Sequence, residues 1–249
     1  MRRPDRVTDV RLAGQLILGL LVLGLLVLAG CTRGNEGSGG PGDAPLQLQI
    51  FKAGREAIAA ARATKTPELT RPFLDGVEGA LLEVTLERRD QRAYLYVEAQ
   101  RRDAYPGQIV VWRTGDNVSL MMRNGVLFAT RGLGGDILSG RVQVANGVPG
   151  PSASGEKIYD IRAQDNKALH LSLICEVTDL GPKTVQIIGH THPTRHLRET
   201  CEGGRTSDGA SSGVVVNDYW IDRSAGLVWQ SRQWAGPEVG YLRIRQVNR

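Results

Sequence analysis

The chain has 249 residues, with 31 basic and 26 acidic side chains and a formal charge of +5. That length supports one large domain with a real core. The basic excess is scattered as pairs such as Arg88-Arg89 and Arg101-Arg102, which excludes the clustered basic stripe of a nucleic-acid-binding protein.

Arg2, Arg3, Arg6 and Arg11 form a positive leader, residues 12–30 carry no charge, and Leu28-Ala29-Gly30-Cys31 closes the run. This is the layout of a secretory signal peptide, and its last four residues resemble a bacterial lipobox. The resemblance implies that residues 1–30 are removed and that Cys31 becomes an acylated first residue. Each buried methylene then contributes about 0.8 kcal/mol to membrane anchoring. The alternative is an uncleaved anchor helix, since residues 12–30 nearly span a bilayer of about 30 Å. Such a helix has no need of a cysteine at its outer end. Removal of residues 1–30 leaves 27 basic against 24 acidic residues.

Residues 31–46 read as the acylated cysteine and a tether, with five glycines among residues 32–45. A chain of this composition stays flexible and reaches about 20 Å. Over residues 46–63, Ile50, Phe51, Ala57, Ile58 and Ala61 recur roughly at helical spacing, which predicts one amphipathic helix ending before Pro67. From there on the pattern is β. Residues 80–87 and 93–99 alternate, the latter with Tyr94, Tyr96 and Glu98 on one face. Residues 108–113, 118–122 and 126–130 are short β-rich runs. Asn124-Gly125 between two of these runs predicts a hairpin with a type I′ turn. Further strands are predicted at 157–162, 169–177, 184–188, 214–221, 227–233 and 241–247. No helices alternate with them, so a parallel α/β sheet is excluded. The expected fold is mainly β: an antiparallel meander over residues 47–249, curled into a sandwich or part-barrel, with one N-terminal helix after a lipidated tether.

With Cys31 assigned to the lipid, Cys175 and Cys201 form an even pair in an exported chain. A disulfide is the natural inference, worth about 3.5 kcal/mol in the chain-entropy model. The competing readings are a zinc site or a reactive thiol, but neither has CxxC spacing behind it.

Four motifs carry chemistry in principle. Gly209-Ala210-Ser211-Ser212-Gly213 matches the nucleophile pattern G-x-S-x-G, which needs a strand entering and a helix leaving. Here a polar loop enters, a β-rich run leaves, and all four histidines precede Ser211, so a flexible loop is the better reading. His190, His192 and His196 are weak candidates for zinc or copper. The alternative is an exposed turn, since Pro193, Thr194 and Arg195 interrupt them and no carboxylate lies among them. The glycine-rich segment 130–136 lacks the Lys-Ser/Thr of a P-loop and reads as a tight buried corner in which Arg131 and Asp136 pair. Asp218 and Asp222 flank Tyr219-Trp220-Ile221. Alternation puts Asp218, Trp220 and Asp222 on one face, where an aromatic beside carboxylates suits a sugar ring. A core tryptophan at a barrel rim is the commoner outcome.

The tail is more specific. Asn217-Asp218-Tyr219-Trp220-Ile221-Asp222, Ser231-Arg232-Gln233-Trp234-Ala235-Gly236-Pro237 and Gly240-Tyr241 resemble the end of the YjbF/GfcB lipoproteins. Arg71-Pro72-Phe73-Leu74, Trp112, Arg123-Asn124-Gly125-Val126-Leu127, the segment 129–134, Asp136 and Glu199-Thr200-Cys201 resemble that family's central part. The resemblance implies an antiparallel β fold. It also implies an outer-membrane lipoprotein, facing the periplasm, that is a non-enzymatic accessory in exopolysaccharide or group 4 capsule production or export. Thr32, where an inner-membrane retention signal usually has Asp, agrees with that sorting. No cofactor and no catalytic residue carry over, and the segment 190–196 has no counterpart from which to take a role. The expected partners are the membrane, through the lipid, and polysaccharide or export-machinery proteins, but not nucleic acid. Arg131, Asp136, Trp220 and Trp234 are the expected positions for fold or ligand contact. The alternative functions are a secreted glycan-active enzyme using Asp218 and Asp222, and a metal-binding envelope lipoprotein using the three histidines.

Overall fold

The computed structural model describes residues 69–152, 154–162, 167–203 and 213–249. The signal peptide, Cys31, the tether, the predicted helix at 46–63 and the serine of the G-x-S-x-G segment lie outside the described residues. A short helix α1 (Arg71–Asp75) precedes twelve strands: β1 (Leu81–Leu86), β2 (Gln91–Arg101), β3 (Ile109–Arg113), β4 (Ser119–Arg123), β5 (Val126–Arg131), β6 (Ile137–Arg141), β7 (Gly155–Arg162), β8 (Ala168–Ile187), β9 (His190–Glu202), β10 (Val215–Asp222), β11 (Leu227–Trp234) and β12 (Tyr241–Asn248). All pair antiparallel in a single sheet of order β5-β4-β3-β2-β1-β12-β11-β10-β9-β8-β7-β6. The first and last strands are neighbours, with Val84 opposite Ile244. The two ends of that order, β5 and β6, are consecutive in the chain and come together, so the sheet is a nearly closed barrel. Contact there is close: β5 bulges at Phe128, and a side chain at Gly140 of β6 would meet the Phe128 carbonyl at 2.5 Å.

The expected antiparallel β architecture is therefore present, as a nearly closed barrel rather than a sandwich. The predicted I′ hairpin is also there, with Asn124 at φ 47° and Gly125 at φ 83° between β4 and β5. Two strands were not anticipated. Ser139-Gly140 in β6 gives no apolar alternation. The stretch containing Pro193 is not an exposed turn but the start of β9. The runs 169–177 and 184–188 belong to one strand, β8, broken in register between Asp179 and Pro182. Leu180 and Gly181 are left unpaired there, and Gly181 takes φ 94°. This irregularity exchanges the faces of β8. Leu171, Leu173 and Cys175 join the interior cluster, whereas Val185 and Ile187 join a cluster on the outer face.

Alternation builds both clusters from the same strands. In β1, Leu82 and Val84 face the interior with Leu95, Trp112, Leu120, Leu242 and Ile244. Leu81 faces outward with Tyr94, Val247 and Trp229, where Leu74 of α1 and the end of the β8–β9 hairpin cover them. The sheet thus needs apolar residues on both faces at this point. The β8–β9 hairpin supplies the cover after its face exchange.

A buried polar chain crosses the barrel. Lys157 Nζ donates to Glu199 Oε2 at 2.6 Å, with both side chains 2% exposed. Asn217 Nδ2 donates to the same oxygen at 2.9 Å. The Tyr219 hydroxyl lies 3.3 Å from Glu199 and 3.2 Å from Gln233. Gln233 continues the chain, accepting from the Leu127 amide at 2.8 Å and donating to the Gly125 carbonyl at 2.9 Å. These bonds tie β7, β9, β10 and β11 to the β4–β5 hairpin on the facing wall. Beside Glu199, Cys175 and Cys201 sit opposite each other in the ladder and are joined by a disulfide. Replacing both cysteines by alanine is expected to lower stability by about 3.5 kcal/mol. The check is the shift in denaturant midpoint, which the wild-type protein should reproduce under reducing conditions.

Candidate functional site

The carboxylates and histidines singled out from the sequence meet on the outer face of β9, β10 and β11. Trp220 lies opposite His196 and Asp218 opposite Arg198 in the β9–β10 ladder. The face assignment follows the alternation: Tyr219 and Ile221 are buried inside, while Asp218, Trp220 and Asp222 face outward. Trp220 is not a rim tryptophan of the interior. Its ring stacks on the His196 imidazole at 4.5 Å between centroids and 8° between planes. His196 Nε2 lies 2.8 Å from Asp218 Oδ1, and Arg198 Nε donates to that oxygen at 2.9 Å.

A second stack lies further along the hairpin. β11 carries a bulge, because Trp220 faces Gln230 and Ile221 faces Val228, so Trp229 is unpaired. The bulge turns the Trp229 ring out of the alternation and onto the outer face. There it stacks on His192 at 3.7 Å and 22°. Trp229 Nε1 donates to Asp222 Oδ2 at 3.3 Å, and the other oxygen of Asp222 accepts from the Ser224 hydroxyl and the amides of Ser224 and Ala225. His190, Arg71 and Arg249 complete an open groove of about 550 Å³ around this stack.

The electrostatics limit what these groups do. Burial alone raises the Asp218 carboxyl, but hydrogen bonds from Arg198 and His196 outweigh it and hold the group below its ordinary value. The Asp222 carboxyl is likewise lowered, chiefly by the Ser224 hydroxyl. A glycosidase general acid needs the opposite shift. Four residues of strand also separate these two, about 13 Å, which is wider than either glycosidase geometry. His192 is pushed down by burial first, then by His190, and it favours the neutral ring. The Asp218 shift carries a prediction. A carboxyl whose folded pKa lies below the unfolded value of 3.8 contributes stability above that value and loses it as pH falls through the folded one. Wild-type protein is therefore expected to lose more stability between pH 6 and pH 3 than Asp218→Asn, as read from urea midpoints at both pH values.

The three histidines do not converge. His190 and His192 have centroids 6.2 Å apart, but His196 is four residues further along the strand and is engaged by Trp220 and Asp218. Among the described residues, the group close enough to share an ion is Cys175, Glu199 and Cys201, and there both sulfurs are spent in the disulfide. Asp136 accepts from Thr130 Oγ1 at 2.9 Å and from the Gly132 and Leu133 amides at 3.0 Å. It closes the β5–β6 corner through these bonds and not by pairing with Arg131, which is exposed. Trp234 packs at the edge of the interior core, 6.3 Å from the Tyr159 ring. Sequence reasoning missed Trp229, Arg71 and Arg249. The only signal was the tryptophan in the β11 run, and an unpaired bulge residue leaves no mark on an alternating pattern.

Among the described residues no helix is long and apolar enough to cross a membrane. No curated protein sequence matches the chain. Among solved structures it is similar to the crystal structure of the hypothetical lipoprotein YmcC from Escherichia coli (K12), with 18% identity and a TM-score of 0.56 over 82% of this chain and 94% of that one. At that identity the likeness concerns the fold. The family model described as "Group 4 capsule polysaccharide lipoprotein gfcB, YjbF" matches residues 46–247, a span that takes in every strand of the barrel but the last residue of β12. The chain belongs to the YjbF family of capsule polysaccharide lipoproteins.

Proposed function

We propose that this protein is a lipid-anchored, non-enzymatic accessory in exopolysaccharide or capsule production or export, held at the outer membrane and facing the periplasm. The observation that carries the reading is the family match over nearly the whole barrel. The leader, the lipobox-like Leu28-Ala29-Gly30-Cys31 and Thr32 support the anchor and the sorting. The outer face supports a binding role over a hydrolytic one: Asp218 and Asp222 are kept ionised and far apart, whereas the stacked Trp220–His196 and Trp229–His192 pairs present preformed flat surfaces.

The experiment is deletion of the gene, with cell-bound and released polysaccharide quantified against a strain re-expressing the wild type. Released polymer is expected to fall and to be restored by re-expression. Cys31→Ser is expected to move the protein out of the membrane fraction. Unchanged polymer in both fractions overturns the role, and sugar release from envelope polysaccharide by the purified protein overturns its non-enzymatic part.

A further inference from the structure

One mouth of the barrel holds a second cavity, which adjoins the outer groove at Arg249. It measures about 450 Å³ and lies among the ends of β2, β4 and β12 and the starts of β1, β3 and β11, within the 300–1,000 Å³ range of small-ligand sites. Its walls are apolar, with Leu82, Trp112, Met122 and Ile244 drawn from the interior cluster. Two polar side chains sit deep in it. Gln246 is 8% exposed and Ser231 1%.

Most amides around the mouth are already committed. Gln108 donates to Gln100, and Asn124 bonds the Gln108 amide and the Ala145 and Val148 carbonyls. Gln246 is different, because among the described residues its side-chain amide has no hydrogen-bond partner. No fully enclosed side-chain nitrogen or oxygen there lacks one, so the Gln246 amide must reach the open space of the cavity. Ser231 accepts from Gln233 Nε2 at 2.9 Å, and its own proton is left for another acceptor. A ligand that offers hydroxyls to the Gln246 amide and an acceptor to the Ser231 proton pairs with both. Two exposed arginines stand at the rim: Arg102, and Arg249, whose guanidinium also donates to the Ala225 carbonyl at 2.9 Å.

We infer that this mouth binds a short saccharide segment, its hydroxyls on Gln246 and Ser231 and its C–H faces on the apolar walls. An amide donates and accepts at once, as adjacent sugar hydroxyls do. An acyl chain entering tail first would leave both deep polar groups unpaired. The rim arginines favour a sugar that carries a carboxylate, so an acidic unit should bind more tightly than its neutral counterpart. The inference rests on the polysaccharide role for its choice of probes.

The test uses full-length protein in detergent, titrated with cellobiose, with a glucuronate-terminated disaccharide and with dodecanoate, following the Gln246 side-chain amide by NMR. Both sugars are expected to shift that resonance, the acidic one at lower concentration. Gln246→Leu should weaken binding at least about tenfold while keeping the melting temperature, and Ser231→Ala should weaken it less. No shift with either sugar at tens of millimolar overturns the site. So does dodecanoate binding that survives Gln246→Leu. A negative titration together with polymer loss on gene deletion removes this site and leaves the role. Sugar binding with unchanged polymer removes the role and leaves the site.

Discussion

Glu199→Ala is expected to cost about 3–5 kcal/mol of folding stability, because it strands a buried Lys157 ammonium with no counter-charge. Glu199 also holds Asn217 and Tyr219, so its removal opens the polar chain that spans the barrel. The loss should appear as a lower denaturant midpoint with the slope unchanged. The double variant Lys157→Met/Glu199→Leu separates charge from packing, since replacing both members of a buried pair by apolar residues is often neutral or stabilising. If the double variant is as unstable as the single, the pair is not what matters at this position. The pair also has a pH signature. Burial lowers the Lys157 pKa, but Tyr159 and Glu199 outweigh it, so the folded value lies above 10.5. Its contribution is therefore full below about pH 10.5 and is lost as pH rises through the folded value. Stability of the wild type should fall on the alkaline side more steeply than that of the double variant.

Trp229→Ala is the second large effect, also about 3–5 kcal/mol. Trp229 is 6% exposed and joins four elements: it packs with Leu74 of α1 and Val247 of β12, stacks on His192 of β9 and donates to Asp222 of β10. Its loss leaves a cavity beneath the hairpin end and an unstacked imidazole above it. Amide exchange at residues 184–194 should accelerate more than exchange in β1 or β12. Uniform acceleration would mean that the hairpin is not a local unit. Trp220→Ala should cost less, because its ring is only partly buried and its His196 stack is worth about 0.5–1.5 kcal/mol beyond area.

Where the outer site forms was decided by irregularities. Alternation correctly put Asp218, Trp220 and Asp222 on one face of β10, because that strand is regular and its pairing runs unbroken along β9. The same reasoning gave no place to Trp229, which reaches the outer face only through a bulge. It also missed the hairpin that covers that face. The β8–β9 turn is Ile188-Gly189, with φ 41° and 78°, the same left-handed pair of conformations as Asn124-Gly125. A β-branched residue rarely takes such a φ, so the turn carries no Asn-Gly signal. Ile188 is placed there by packing against the outer cluster.

The sequence by itself determined the β class, the antiparallel order of most strands, the I′ turn at Asn124-Gly125 and the likeness to the family, because these depend on local spacing and on short motifs. Tertiary structure alone decided that the meander closes on itself. Closure depends on Gly140 meeting the Phe128 carbonyl and on a polar chain from Lys157 to Gly125, between residues far apart in sequence. The same long-range pairing decided that the three histidines part company, two toward Trp229 and one toward Trp220. A one-residue bulge or slip moves a side chain to the other face of a sheet, and no local pattern records which strand will yield.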